Sequence, residues 1–141
     1  MKRYLLDTNV VLRFLRNDDP KQSPQAVALF AGAVDGRYVL RLANEVVAES
    51  EWVLRDGYKL DRATIATSLA KLIDPPCVEC VNKAAVQDAL DHYRTTTLDI
   101  VDCLLAAEAI DERFTLATFD KKIGKRIPGV YLWDQAEQHG V

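Results

Sequence analysis

Short apolar runs alternate with longer amphipathic stretches along this chain, and that alternation limits the folds open to it. Tyr4-Leu5-Leu6, Tyr38 to Leu42, Cys77 to Val81, Phe114 to Thr118 and Val130 to Trp133 have the length and composition of strands. Helical periodicity fills the intervals. Thr8 to Arg16 places Val11, Leu12 and Leu15 on one face, and Asn17-Asp18-Asp19-Pro20 then forms a loop. Ser23-Pro24 has the cap and first-turn chemistry of a helix that Gly36 closes. Asn44 is expected to cap a helix reaching about Asp56, with Gly57 as its stop. Asp61 caps the next helix, through Ile65, Leu69 and Leu72, until Asp74-Pro75-Pro76 breaks it. Asn82 opens a helix through Val86 and Leu90. After Thr95-Thr96-Thr97, another runs from about Asp99 to Glu112 with Val101, Leu104, Leu105 and Ala109. A short basic helix separates the last two strands. Strands separated by helices predict an α/β fold with a parallel sheet and helices on both faces. No linker-like segment interrupts the pattern, so residues 1–141 are expected to form one domain.

Composition narrows the classes of function. Eighteen basic against 21 acidic residues give a net charge of −3, which argues against a generally basic nucleic-acid coat but allows a local patch. The longest nearly apolar run, Ala26 to Val34, is broken by Gly32 and falls far short of the roughly 20 residues a membrane span needs. A charged, strand-like start leads straight to Asp7, unlike a signal peptide. Three cysteines with no framework spacing suit a reducing cytoplasm, the expected location.

The acidic residues fall in informative places. In open parallel sheets, ligands bind beyond the carboxyl ends of the strands. Asp7 ends the first strand and Asp120 follows the strand Phe114 to Thr118. Either could instead cap a helix or sit in a turn. Asp99 and Asp102 are three residues apart on an otherwise apolar helix, and Glu45 and Glu49 are four apart. Each like-charged pair is unfavourable by a few tenths of a kcal/mol when solvated, and by more when buried. A divalent cation reverses that sign, and hard oxygen ligands suit Mg²⁺ or Mn²⁺. His92 and His139 lack metal-ligand spacing, which argues against a zinc hydrolase.

Four stretches together carry a resemblance. Leu6-Asp7-Thr8-Asn9 after an apolar strand resembles the opening of PIN-domain nucleases, in particular VapC toxins of bacterial toxin–antitoxin pairs. Val47-Ala48-Glu49-Ser50-Glu51-Trp52-Val53-Leu54 is similar to that family's second acidic motif. Leu98-Asp99-Ile100-Val101-Asp102-Cys103-Leu104-Leu105-Ala106 resembles the third, and Leu116-Ala117-Thr118-Phe119-Asp120 the fourth. The four occur in order across essentially the whole chain. The resemblance implies a three-layer α/β/α PIN-like fold with a central, mainly parallel sheet of four to five strands. It also implies an acidic quartet of Asp7, Glu49, Asp102 and Asp120, with Asp99 as a fifth acid at its edge. Glu45 and Glu51 compete with Glu49, but Glu51 is rotated by about 200° from it on an ideal helix. The polar Ser50-Glu51 pair departs from the family, which more often has apolar residues there.

The activity implied is Mg²⁺-dependent endoribonuclease chemistry, with Mn²⁺ as a substitute, leaving 5′-phosphate and 3′-hydroxyl ends. One or two metal ions would bind the phosphodiester oxygens, acidify a water and steady the leaving oxygen. Asp7, Asp102 and Asp120 would be direct or water-mediated ligands, and Glu49 would ligate or orient a metal-bound water. Thr8, Asn9 and Thr118 would hold these carboxylates by hydrogen bonds, although Thr8 also reads as a simple helix start. Lys121-Lys122-Ile123-Gly124-Lys125-Arg126 places four cations directly after Asp120, positioned for RNA phosphate or else for a solvated helix face. Arg13 and Arg16, one turn apart, are a weaker second patch.

The same resemblance implies a homodimer and capture by a small antitoxin, with a higher assembly between them. Two further readings stand beside it: a PIN nuclease of RNA maturation or single-stranded DNA, and a regulatory DNA-binding subunit with little nuclease activity. A haloacid-dehalogenase phosphatase would need an acid where Asn9 stands. Cys77-Val78-Glu79-Cys80 has no partner pair, and residues three apart on a strand face opposite sides. Trp52, Phe14 and Phe30 read as core or interface rather than base-stacking residues.

Overall fold

Parallel strands need crossover connections, and the first part of the chain supplies helices for them. In the computed structural model, which describes residues 1–134, β1 (Lys2–Leu5), β2 (Tyr38–Arg41) and β3 (Val78–Glu79) form one parallel sheet in that order. Lys2 pairs with Tyr38 and Leu5 with Arg41, then Leu40 with Val78 and Arg41 with Glu79. The ladder runs past the strand ends, because Leu6 donates its N–H to Arg41 O at 2.9 Å and Leu42 to Glu79 O at 2.8 Å. Central β2 buries Leu40 completely. The helices that follow these strands are α1 (Thr8–Arg16), α2 (Gln22–Val34), α3 (Asn44–Trp52) and α4 (Arg62–Ile73). Together they make a compact unit, Met1–Lys83, whose core includes Val11, Phe30, Val47, Leu54, Ile65 and Ile73. A second unit runs from Ala84 onward. Its helices are α5 (Lys83–Thr95), α6 (Ile100–Glu112) and α7 (Lys122–Arg126), and its core includes Val86, Leu90, Tyr93, Cys103, Ala106 and Ile127. His139 lies outside the described residues.

Local chemistry explains the helix ends. Asp61 caps α4 by accepting the Thr64 N–H at 2.8 Å, and Asp99 caps α6 by accepting that of Val101 at 2.9 Å. The start of α2 differs from expectation. Ser23 lies inside the first turn, where its Oγ accepts the Asp19 N–H at 3.1 Å. The capping falls to Asp19, whose Oδ1 accepts the N–H groups of Lys21 at 3.0 Å and Gln22 at 2.6 Å. A carboxylate takes both donors at once, and Pro24 in the first turn has no N–H to satisfy.

Further along, α3 begins at Asn44 with Ala43 as an uncapped entry, then widens into a π-turn over Val53–Gly57. Lys59, with φ of 58°, makes the left-handed exit rather than Gly57. In α6 the buried line is Ile100, Cys103, Leu104 and Ala107, which leaves Val101 and Leu105 facing outward.

The last two expected strands contract to a single parallel bridge between Leu116 and Leu132. Among the described residues the sheet therefore has three strands rather than four or five. The backbone beyond Leu116 is diverted by side chains: Thr118 Oγ1 accepts the Asp120 N–H at 3.1 Å, and Asp120 Oδ1 accepts that of Lys122 at 2.9 Å. In the first unit, α2 approaches β2 so closely that a Cβ at Gly32 would overlap the Tyr38 ring, whose hydroxyl donates to Leu29 O at 2.7 Å.

Candidate metal and nucleic-acid site

Two groups of acids leave the carboxyl edge of the sheet in the first unit. Asp7 directly follows β1 as the N-cap of α1, and its side chain makes no capping bond and stays exposed. Thr8 behind it is buried, while Asn9 is exposed. The other group follows β2 on α3, where Glu45 and Glu49 are both exposed. Glu51 points inward as its rotation requires, is only 3% exposed, and receives Arg55 Nε at 2.8 Å. Ser50 is also fully buried, and its Oγ has no hydrogen-bond partner. The polar pair that departs from the family thus sits on the packed side of α3, and Trp52 is the residue left exposed.

A cavity of about 470 Å³ opens beside Asp7, lined by Asn9, Val10, Arg13, Gln22, Gln25, Ala26 and Leu29. Arg13 is not a free cation there, since its Nε donates to Gln22 Oε1 at 2.8 Å and lies 3.8 Å from Asp19 Oδ2. Arg16 is likewise engaged, with its guanidinium 4.8 Å from the centre of the Tyr58 ring. Phe14 stacks on Phe30 at 4.0 Å, as packing residues do. Gln22 and Gln25 were not among the residues singled out from sequence, because the cavity depends on how α1 meets α2.

The second unit holds the other acids. Asp102, in the first turn of α6, is partly buried, and its carboxyl is pushed above the usual range by burial and then by the charges of Asp99 and Asp120. A first-turn position by itself favours an anion, whereas burial and repulsion act against one here. Asp120 has one oxygen bonded to the Lys122 N–H, and Thr118 fixes its backbone. Lys121, Lys122, Lys125 and Arg126 are all exposed along α7 and pair with no acid among the described residues.

Among the described residues no three His, Cys, Asp or Glu side chains close into a metal cage. Asp99, Asp102 and Asp120 nevertheless share one electrostatic neighbourhood. Their donors are all hard carboxylate oxygens, which fits a divalent cation of the Mg²⁺ class. Cys77 and Cys80 are free and half-buried, and burial pushes the Cys80 thiol up despite Lys83 and Arg41, which favours the neutral thiol. Phe119 and Trp133 escaped the sequence reading. Their rings meet edge to face at 5.5 Å beside Asp120, and an aromatic residue at a turn between Thr118 and Asp120 was the available signal.

Acids at the carboxyl edge of a parallel sheet, and a mutually repelling acidic group in the second unit, supply hard oxygen donors of the kind a divalent cation takes. The PIN domain family model matches residues 4–128, and the chain belongs to that family. PIN domains are in general metal-dependent nucleases that use divalent ions, and the sheet found here fits their α/β/α architecture. No curated protein and no solved structure matches the chain. No helix among the described residues is long and apolar enough to cross a membrane.

Proposed function

We propose that this protein is a Mg²⁺-dependent endoribonuclease of the VapC type, a cytoplasmic toxin that works as a homodimer and is held in check by a small antitoxin. The observation that carries the nuclease chemistry is the Asp99, Asp102 and Asp120 group, in which the Asp102 carboxyl is raised by burial first and then by the charges of its two acidic neighbours. Such an arrangement disfavours the metal-free state and favours a divalent cation. Asp7, Asp102 and Asp120 would hold the metal in this reading, and Glu49 would ligate it or orient a metal-bound water. Bound Mg²⁺ would polarise the scissile phosphodiester and lower the pKa of a water. Thr118 keeps Asp120 in place through the backbone bond already described. Lys121, Lys122, Lys125 and Arg126 offset the charge of the arriving polyanion.

Cleavage of defined structured and unstructured RNAs by wild type and Asp7→Asn tests the reading, in Mg²⁺, Mn²⁺ or EDTA. Wild type should cut only with metal, and Asp7→Asn should lose at least about a hundredfold, since even indirect ligand supports are worth 10–100-fold. Activity that survives EDTA, or is unchanged in Asp7→Asn, sinks the mechanism. Single-stranded DNA belongs in the same panel, because phosphate contacts do not distinguish it from RNA.

A further inference from the structure

We propose that the cleft between Phe119 and Trp133 is a stacking platform for one unpaired nucleotide of a single-stranded RNA, placed next to the Asp120 end of the acidic group. Thr118, Phe119, Lys121, Leu132, Trp133 and Asp134 line a cleft of about 530 Å³, within the roughly 300–1,000 Å³ typical of small-ligand sites. Phe119 is 80% exposed, although burying such a ring is worth about 1.5–3 kcal/mol.

That exposure is built into a fixed backbone. Thr118 and Asp120 tie down the turn, and the bridge places Trp133 by its N–H bond to Leu116 O at 2.9 Å. Gly124 brings α7 against Leu132, where a Cβ would approach the Leu132 side chain to 2.9 Å. The two rings meet edge to face at 68°, and the exposure of Phe119 leaves ring surface open to a base.

The surrounding charge selects the occupant. Lys121 lines the cleft, and Lys122, Lys125 and Arg126 stand exposed on the adjoining helix. Aromatic faces interleaved with cations take single-stranded nucleic acid, with each base offering a π-face and each phosphate a charge. A duplex hides its base faces, so the nucleotide must be unpaired. This inference rests on the nuclease reading only for the nearness of the cut.

The test uses Trp52→Phe protein, which leaves Trp133 as the sole tryptophan. In EDTA, a six-nucleotide unpaired oligouridylate should quench Trp133 fluorescence, and a fully paired RNA hairpin stem should do so far less. Phe119→Ala should weaken oligouridylate binding about tenfold by fluorescence anisotropy, and Phe119→Tyr should restore it. Lys121→Ala should lower the slope of log affinity against log salt by roughly 0.7, the loss of one single-strand phosphate contact. Absence of quenching, or equal affinity of Phe119→Ala and wild type, overturns the platform. So does a Phe119→Ala protein that binds RNA normally but loses self-association in sedimentation, which would make the cleft a protein interface. Metal-dependent RNA cleavage without quenching would leave the nuclease reading standing alone, and quenching by a protein that cuts nothing would do the reverse.

Discussion

Glu79 and Asp102 are carboxylates treated in opposite ways. Glu79 on β3 accepts Arg3 Nη2 at 2.6 Å and Arg41 Nη2 at 3.2 Å, so three adjacent strands share one charge cluster. Those arginines hold its carboxyl below the usual range, Arg3 foremost. The Asp102 carboxyl is raised instead, by burial first and then by the charges of Asp99 and Asp120. The chain neutralises the first from within, and in the proposed function a metal ion neutralises the second. The same carboxylate chemistry is thus shifted in opposite directions by different surroundings.

Cleavage gives the widest separation between them. Asp102→Asn should lose at least about a hundredfold in metal-supported activity, whereas Glu79→Gln should stay within about twofold. Comparable losses in both would erase the distinction. Thermal melting in EDTA should then separate the pair by sign. Glu79→Gln strands two arginines, but the cluster is exposed and screened, so only a small drop in melting temperature is expected. Asp102→Asn should raise the melting temperature by about 1–2 °C by removing a repelled charge.

The smallest difference lies in pH dependence, read from urea midpoints without metal. The Glu79 contribution is present above its unfolded pKa and fades as pH falls through the lower folded value, so Glu79→Gln should flatten acid destabilisation. Asp102 has the opposite sign. Its folded pKa is raised, so wild type should gain stability as pH falls through that value, and the advantage of Asp102→Asn should shrink. A constant advantage across pH would mean that repulsion at Asp102 is not its source.

Much of the fold was legible because it follows local rules. The span Thr8 to Arg16, the cap Asp61 and the helix start at about Asp99 follow from spacing, and one hydrogen bond fixes each of the last two. Strand length was not legible, since a strand lasts only as far as its neighbour does. Cys77 to Val81 pairs with β2 over two residues, and the runs around Leu116 and Leu132 meet at one bridge. The Asp99 and Asp102 pairing was readable from a three-residue interval, and the inward turn of Glu51 from helical rotation. Glu45 and Glu49 stay unseparated, because both are exposed on the same face of α3. Phe119 and Trp133 lie too far apart in sequence for any local pattern, and the bridge beside them is what brings the rings together.

The close approach of Gly32 to Tyr38 makes α2 a lever with its pivot at one end. Gln22 lies ten residues from Gly32, or about 15 Å along the helix axis at 1.5 Å per residue. A small tilt at the pivot therefore becomes a larger displacement at Gln22 and Gln25, which line the cavity beside Asp7. Gly32→Ala should disturb that cavity from a distance, by displacing the Tyr38 ring and its bond to Leu29 O. Amide proton shifts of Gln22 and Gln25 would register the motion, and unchanged shifts there would mean that α2 absorbs the methyl locally.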